Sequence, residues 1–147
     1  MIARRSGLAL LVLLGTWTGC GKDDTTGPSP QGVVGTWQAT KIEYVQQSPP
    51  ASVDLIALGA TAQLVLDSDH TFVYTLTASG QSPDVNSGTW QLSGQVMTVS
   101  PEGMPFSWQF EITLAANKLT LTGADGEFDF NGDDVMEPAK MNLEFSR

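Results

Sequence analysis

The sequence predicts an all-β domain whose strands run up and down and close into an antiparallel barrel. Apolar and polar residues alternate with period two in many short segments, and turn-forming residues separate those segments. About nine such segments follow one another within roughly 115 residues, and a meander of this length hides its strand edges best by closing on itself. The sequence therefore favours a barrel of about eight or nine strands.

The clearest strand has large apolar side chains at every second position. These residues are Phe106, Trp108, Phe110, Ile112 and Leu114. The same alternation predicts further strands at residues 35–45, 63–67, 71–76, 88–92, 96–100, 118–122, 127–130 and 141–145. Turn signals between them, such as those at residues 93–94 and 125–126, leave mostly hairpin-length gaps, which favour pairing in chain order.

One segment interrupts the alternation after the first predicted strand. Two prolines at residues 49–50 end that strand, and an apolar stretch follows at residues 53–58. Ser52 is suited to cap a helix N-terminus, and Gly59 is suited to end the helix. We therefore expect one short helical segment near residues 52–58.

Residues 1–19 have the pattern of a secretory signal peptide. Two arginines precede the apolar run at residues 8–14, and small and polar residues then lead to Cys20. A transmembrane helix would need about 18 or more apolar residues. The 16 uncharged residues between Arg5 and Lys22 include several glycines and threonines, so a cleavable signal is the favoured interpretation.

Cys20 is the only cysteine in the chain, so it cannot form an internal disulfide. A lone cysteine preceded by Gly19 at the end of a signal resembles the lipobox of bacterial lipoproteins. The resemblance implies cleavage before Cys20, a diacylglyceryl group on its thiol and acylation of the new amino terminus. Several acyl chains make a firm membrane anchor. The alternative is an ordinary signal peptide with an incidental cysteine.

The residue after the lipidated cysteine bears on where such a protein is held. Gly21 stands where, in Gram-negative lipoproteins, Asp favours retention in the inner membrane. If the source is Gram-negative, the resemblance therefore implies an outer-membrane protein of the cell envelope, facing the periplasm or the cell surface.

Composition divides the rest of the chain. Residues 20–31 are polar and rich in Pro and Gly, which is typical of a flexible tether, and the barrel is then expected over residues 32–147. Without residues 1–19 the chain keeps five basic and sixteen acidic residues, a formal charge of −11. This acidity opposes binding to nucleic acid and to anionic headgroups, so membrane contact is expected through the lipid on Cys20.

Beyond the tether the chain resembles the bacterial lipocalin-like lipoproteins. The residues that carry the resemblance are the G-x-W pattern of Gly35-Thr36-Trp37, the short helical segment, and residues 87–92 and 118–122. The resemblance covers about residues 33–147 and implies a ligand-binding barrel. It also implies that Trp37 plugs the closed end and that Arg147 lies across its ring, in a cation–π contact of about 0.5–2 kcal/mol.

Inward-facing aromatic residues are the candidates for the lining of a pocket. They are Phe72, Tyr74, Trp90, Phe106, Trp108 and Phe110. Small-molecule sites are lined mostly by such apolar and aromatic side chains, but a packed core needs the same residues. Because a small barrel can fill its interior with its own side chains, a packed barrel stays open as the alternative.

An acidic stretch at residues 125–137 is the most unusual part of the sequence. Its oxygen-bearing side chains at relative positions 1, 3, 5 and 9 are Asp129, Asn131, Asp133 and Glu137. Loops that wrap calcium use this alternation, although Asp134 and Lys140 replace the Gly and Glu that an EF-hand needs. The two interpretations are a weak Ca²⁺ site and a solvated acidic hairpin.

The sequence contains no convincing catalytic constellation. His70 is the only histidine and lies in a predicted turn, so a Ser-His-Asp or Cys-His site would depend on an exposed imidazole. No second histidine is present for a zinc site, and no G-x-S-x-G or P-loop motif occurs. We therefore expect a non-enzymatic protein that binds a small hydrophobic ligand in the barrel. The alternative is a packed barrel that binds a protein partner or Ca²⁺ through its surface and acidic loop.

Overall fold

The computed structural model describes residues 27–147, which form one antiparallel β-sheet that closes on itself. The predictions for the signal peptide, for Cys20 and for most of the tether lie outside the described residues. Within residues 27–147, no helix has the length and apolar character needed to cross a membrane.

A single turn of helix precedes nine strands. The elements are α1 (Pro30–Val33), β1 (Gly35–Gln47), β2 (Pro50–Asp54), β3 (Thr61–Leu66), β4 (Thr71–Thr77), β5 (Asp84–Ser93), β6 (Val96–Pro101), β7 (Trp108–Ala115), β8 (Lys118–Phe128) and β9 (Glu137–Ser146). All neighbouring strands pair antiparallel, which confirms the predicted meander.

The long strand β1 closes the barrel because its two edges have different partners. Residues 35–38 pair with β3 on one edge, and residues 38–45 pair with β9 on the other edge. Eight strands, β1 and β3 to β9, therefore form the closed barrel. The extra strand β2 pairs with residues 43–47 of β1. This architecture confirms the prediction of a barrel of about eight or nine strands.

The helical segment expected at residues 52–58 is wrong in position. Its first three residues belong to β2, because the C-terminal part of β1 offers them a free edge, and hydrogen-bonded turns follow. Asp54, not Ser52, makes the capping contacts. Its carboxylate accepts hydrogen bonds from the backbone N–H groups of Ile42 at 3.1 Å and Ile56 at 3.0 Å. The helix of the described chain lies ahead of β1 instead.

Helix α1 lies at the junction between the predicted tether and the barrel. Ser29 caps it, because its hydroxyl accepts a hydrogen bond from the Gly32 N–H at 3.2 Å, and Pro30 occupies the first turn. Val33, the last helical residue, is completely buried. The described fold therefore already includes Ser29, upstream of the predicted boundary at residue 32.

The turn predicted at residues 125–126 is wrong, because these residues lie within strand β8. The strand continues through those residues and joins two predicted strands, 118–122 and 127–130, into one. Gly123, with a φ of +84°, lies at a bulge in the pairing with β9. The bulge bends β8 without ending it. This fusion removes one predicted strand, and β2, which was not predicted as a strand, adds one. The total therefore stays at nine.

The barrel has a packed closed end and an open end. The closed end is where β1 begins and where the β3–β4, β5–β6 and β7–β8 turns lie. Trp37 and Trp90, each at most 1% exposed, fill this half. Each indole N–H is satisfied by a backbone carbonyl, that of Val33 at 2.8 Å for Trp37 and that of Thr71 at 3.1 Å for Trp90.

Arg147 covers the closed end from outside. Its Cζ atom lies 4.3 Å from the centroid of the Trp37 ring. The guanidinium also donates to the carbonyl oxygens of Val34 at 3.0 Å and Gly32 at 3.2 Å, and the Arg147 backbone N–H donates to Asn117 at 3.1 Å. The structure thus brings together the two residues that the family resemblance pairs.

Candidate functional site

The open half of the barrel contains a cavity of about 230 Å³. Because side chains alternate between the two faces of each strand, all eight strands of the barrel direct apolar or polar side chains into this cavity. The apolar and aromatic lining consists of Ile42, Tyr44, Leu64, Phe72, Tyr74, Leu76, Val99, Trp108, Phe110, Leu121, Met141, Leu143 and Phe145. Asp84 and Asn86, at the beginning of β5, are the polar members of the lining.

The volume of the cavity sets the size of molecule it can hold. An apolar cavity of about 150 Å³ in another protein accommodates benzene, so about 230 Å³ corresponds by proportion to about nine non-hydrogen atoms. Pockets for drug-sized ligands start at about 300 Å³. The cavity therefore suits a small ligand and is too small to enclose a long-chain lipid.

Tyr44, which lines the cavity, is packed against further aromatic rings. Tyr44 stacks on Phe128, with 5.0 Å between ring centroids, and Phe128 meets Phe130 edge-on at 5.1 Å. Burial raises the pKa of Tyr44. Burial likewise raises the pKa of Tyr74, and the charges of Tyr44 and Asp84 raise it further. Both phenols therefore stay neutral at physiological pH.

Four of the six predicted pocket residues line the cavity: Phe72, Tyr74, Trp108 and Phe110. Trp90 does not, because it lies in the closed half, where its ring stacks on His70 at 4.8 Å between centroids. Phe106 does not either, because β7 begins only at Trp108 and leaves Phe106 in the preceding loop, 47% exposed. Phe106 packs edge-on against Trp108 at 5.4 Å.

Several lining residues were not among the candidates. Leu121 and Leu143 belong to the alternating patterns of predicted strands, so the signal for them was present. Asp84 and Asn86 gave no such signal. They follow a Gly- and Pro-containing loop and have no apolar alternation of their own, and only pairing with β4 turns them toward the cavity.

The acidic loop between β8 and β9 brings three carboxylates together. Asp129, Asp133 and Glu137 can each place an oxygen within 4.8 Å of the other two. Asn131 joins them, since its Nδ2 donates to a carboxylate oxygen of Glu137 at 3.1 Å. The structure therefore gathers the four residues that the sequence proposed for Ca²⁺, and calcium binding itself stays a prediction.

Internal hydrogen bonds already hold this loop. The carboxylate of Asp129 accepts backbone N–H groups from all of residues 131–134, at distances of 2.7 to 3.3 Å. Desolvation acts to raise the pKa of Asp129, but these four donors outweigh it and hold the pKa below its usual value. The carboxylate of Asp129 therefore fixes the backbone conformation of the loop.

A family profile described as a lipocalin-like domain matches residues 33–121, which is more than half of the chain. The matched segment begins at the end of α1, contains Trp37 and strands β1 to β7, and ends within β8. No curated protein matches the chain.

Proposed function

The chain belongs to the lipocalin-like domain family, and from this premise we propose that it binds a small apolar molecule in the cavity of the open half. Barrels of this kind are typically binding folds rather than catalytic ones. The observation that carries the proposal is the cavity of about 230 Å³, whose lining is almost entirely apolar. Transfer of an apolar ligand from water into such a space is favourable.

The expected affinity follows from the size of the cavity. A ligand of about nine non-hydrogen atoms that gains about 0.5 kcal/mol per atom binds with about 4.5 kcal/mol, which corresponds to a Kd of about 0.5 mM. This gain per atom lies between the ceilings for the smallest ligands and for drug-sized ones. A simple probe is therefore expected to bind weakly but measurably.

The test uses a neutral probe and two variants of one strand. We expect 2-phenylethanol to bind the full chain in isothermal titration calorimetry. Leu76→Trp should abolish this binding, because Leu76 lines the cavity and the larger side chain would fill it. Val73→Trp is the matched control, since Val73 lies on the outer face of the same strand, 37% exposed. Circular dichroism confirms that both variants fold.

Equal loss of binding in both variants, or no binding to the unaltered chain, would contradict the proposal. Mass spectrometry of an organic extract of the purified chain can then identify the natural ligand class. A small apolar molecule is expected from the unaltered chain and from Val73→Trp, and not from Leu76→Trp.

We also propose that lipid on Cys20 holds the protein at the cell envelope. The support is the basic and apolar leader followed by a single cysteine. Cys20→Ser should abolish incorporation of labelled palmitate and should move the protein from the membrane fraction to the supernatant. Unchanged fractionation of this variant would contradict the anchor.

The path of the chain gives the anchored protein an orientation. Gly27 lies against the β5–β6 turn, so closely that a Cβ there would collide with the carbonyl oxygen of Gly94. A tether to Cys20 would therefore attach at the closed end, and the cavity lies in the opposite half of the barrel.

A further inference from the structure

The edge of the cavity carries a carboxylate that no basic residue neutralises in the described chain. Asp84 lies at the beginning of β5 and is exposed, while its side chain contributes to the lining. Its hydrogen-bonding partner is Asn86, whose amide nitrogen lies 3.4 Å from the carboxylate. Amide donation leaves the negative charge of Asp84 in place.

The basic side chains of residues 27–147 are all engaged elsewhere. The lysines form ion pairs within the strands: Lys41 with Glu43, Lys118 with Glu144 and Lys140 with Asp125. The arginine of the described residues, Arg147, lies on the closed end, over Trp37. The negative charge of Asp84 is therefore available to a ligand.

The loops around the open end strengthen the negative potential. The three loops at residues 78–83, 101–107 and 129–136 contain no Lys or Arg. Their acidic residues are Glu102, Asp129, Asp133 and Asp134. A concave apolar site surrounded by charges of one sign attracts ions of the opposite sign and repels those of the same sign.

From this arrangement we infer that the ligand is a small organic amine, with its apolar part in the cavity and its protonated nitrogen beside Asp84. Tyr44, Tyr74 and Trp108 line the same space, and the face of an aromatic ring attracts a cation and repels an anion. A carboxylate of equal size meets uncompensated negative charge. The inference rests on the proposed function, since it specifies which molecules the same cavity prefers.

The size of the preference follows from the exposure of Asp84. A solvent-exposed ion pair contributes little because water screens it, and such pairs correspond to about a two- to fivefold change in affinity. We therefore expect an amine to bind about two to five times more tightly than the alcohol of equal size. The preference should shrink when salt is added.

The experiment compares three probes on the full chain by calorimetry at low ionic strength. The probes are 2-phenylethylamine, 2-phenylethanol and phenylacetate, which share a phenyl group and differ in charge. The expected order of affinity is amine, then alcohol, then carboxylate. Asp84→Asn should remove the advantage of the amine, so that the ratio of the amine affinity to the alcohol affinity, both measured on this variant, falls to about 1. Asp67→Asn, which makes the same change of charge at the exposed β3–β4 turn of the closed end, should leave the order intact.

The possible outcomes distinguish the preference for amines from the binding of small apolar molecules in the cavity. Binding of the alcohol with no advantage for the amine, or with the carboxylate favoured, would overturn the inference and leave the apolar cavity standing as a site. Loss of the advantage in Asp67→Asn as well as in Asp84→Asn would also overturn it, because general charge would then explain the preference. Failure of all three probes to bind would refute the proposed function itself.

Discussion

Removal of the Arg147 side chain should destabilise the barrel more than its exposed, C-terminal position suggests. The guanidinium lies 4.3 Å from the ring centroid of Trp37 and donates to the carbonyls of Val34 and Gly32. These contacts join the end of β9 to α1 and to the beginning of β1. Arg147→Ala breaks all of them at once.

The magnitude follows from the exposure of these contacts. An exposed cation–π contact contributes about 0.5–1 kcal/mol, and hydrogen bonds in solvent contribute at the low end of about 0.5–1.5 kcal/mol each. We expect Arg147→Ala to lower the free energy of unfolding by about 1–3 kcal/mol. For a domain of this size, that lowers Tm by about 4–12 °C.

Thermal unfolding followed by near-ultraviolet circular dichroism is the assay, because it reports the packing of the buried aromatic side chains, including Trp37. Lys140→Ala is the control. It removes another exposed basic side chain, but one whose ionic contact is with a single residue, Asp125. This control should change stability by no more than about 0.5 kcal/mol. Equal Tm values for the two variants would refute the role assigned to Arg147.

The core, the acidic loop and the tyrosines can each be tested by a further measurement. Phe110→Ala should cost about 3–5 kcal/mol and Phe106→Ala less than about 0.5 kcal/mol in denaturant unfolding, because the first side chain is 3% exposed and the second 47%. Similar losses would contradict the inward alternation of β7. The lowered pKa of Asp129 stabilises the loop above the unfolded pKa of about 4, and this contribution should be lost as pH falls through the folded value. The amide signals of residues 131–134 should then shift in nuclear magnetic resonance spectra. If these signals do not move over that pH range, the Asp129 carboxylate does not hold the loop backbone. The raised pKa of Tyr74 stabilises the fold below the unfolded pKa of about 10, and this contribution is lost as pH rises toward the folded value. Phenolate absorbance should therefore appear above pH 10 only as the protein unfolds, and its appearance in the folded protein would contradict the burial.

The fold was predictable because period-two alternation reports directly which face of a strand is buried. Phe110 and Ile112 are 3% and 2% exposed, as the alternation of β7 requires. Local signals failed where pairing partners decide the structure. The apolar residues near Val53 look like a helix in isolation, but Val53 pairs with Tyr44 across the hairpin that joins β1 to β2.

The residues that line the cavity could be predicted only in part, because their positions also depend on how the strands pair. Inward aromatic residues were visible in the sequence, yet period two does not say at which height in the barrel a side chain lies. Trp90 therefore appeared equivalent to Trp108, although one packs the closed half and the other lines the cavity. The position of Asp84 depends on its pairing opposite Leu76 on the neighbouring strand β4, and no alternation around Asp84 signals that pairing.

Mapping of amide chemical shifts during titration of the full chain with 2-phenylethanol shows whether small apolar molecules bind inside the barrel. We expect saturable shifts at cavity residues such as Leu76, Trp108 and Leu143, with few at Val73 on the outer face. Shifts confined to the exposed surface around Phe106, or shifts that never saturate, would contradict binding in the cavity.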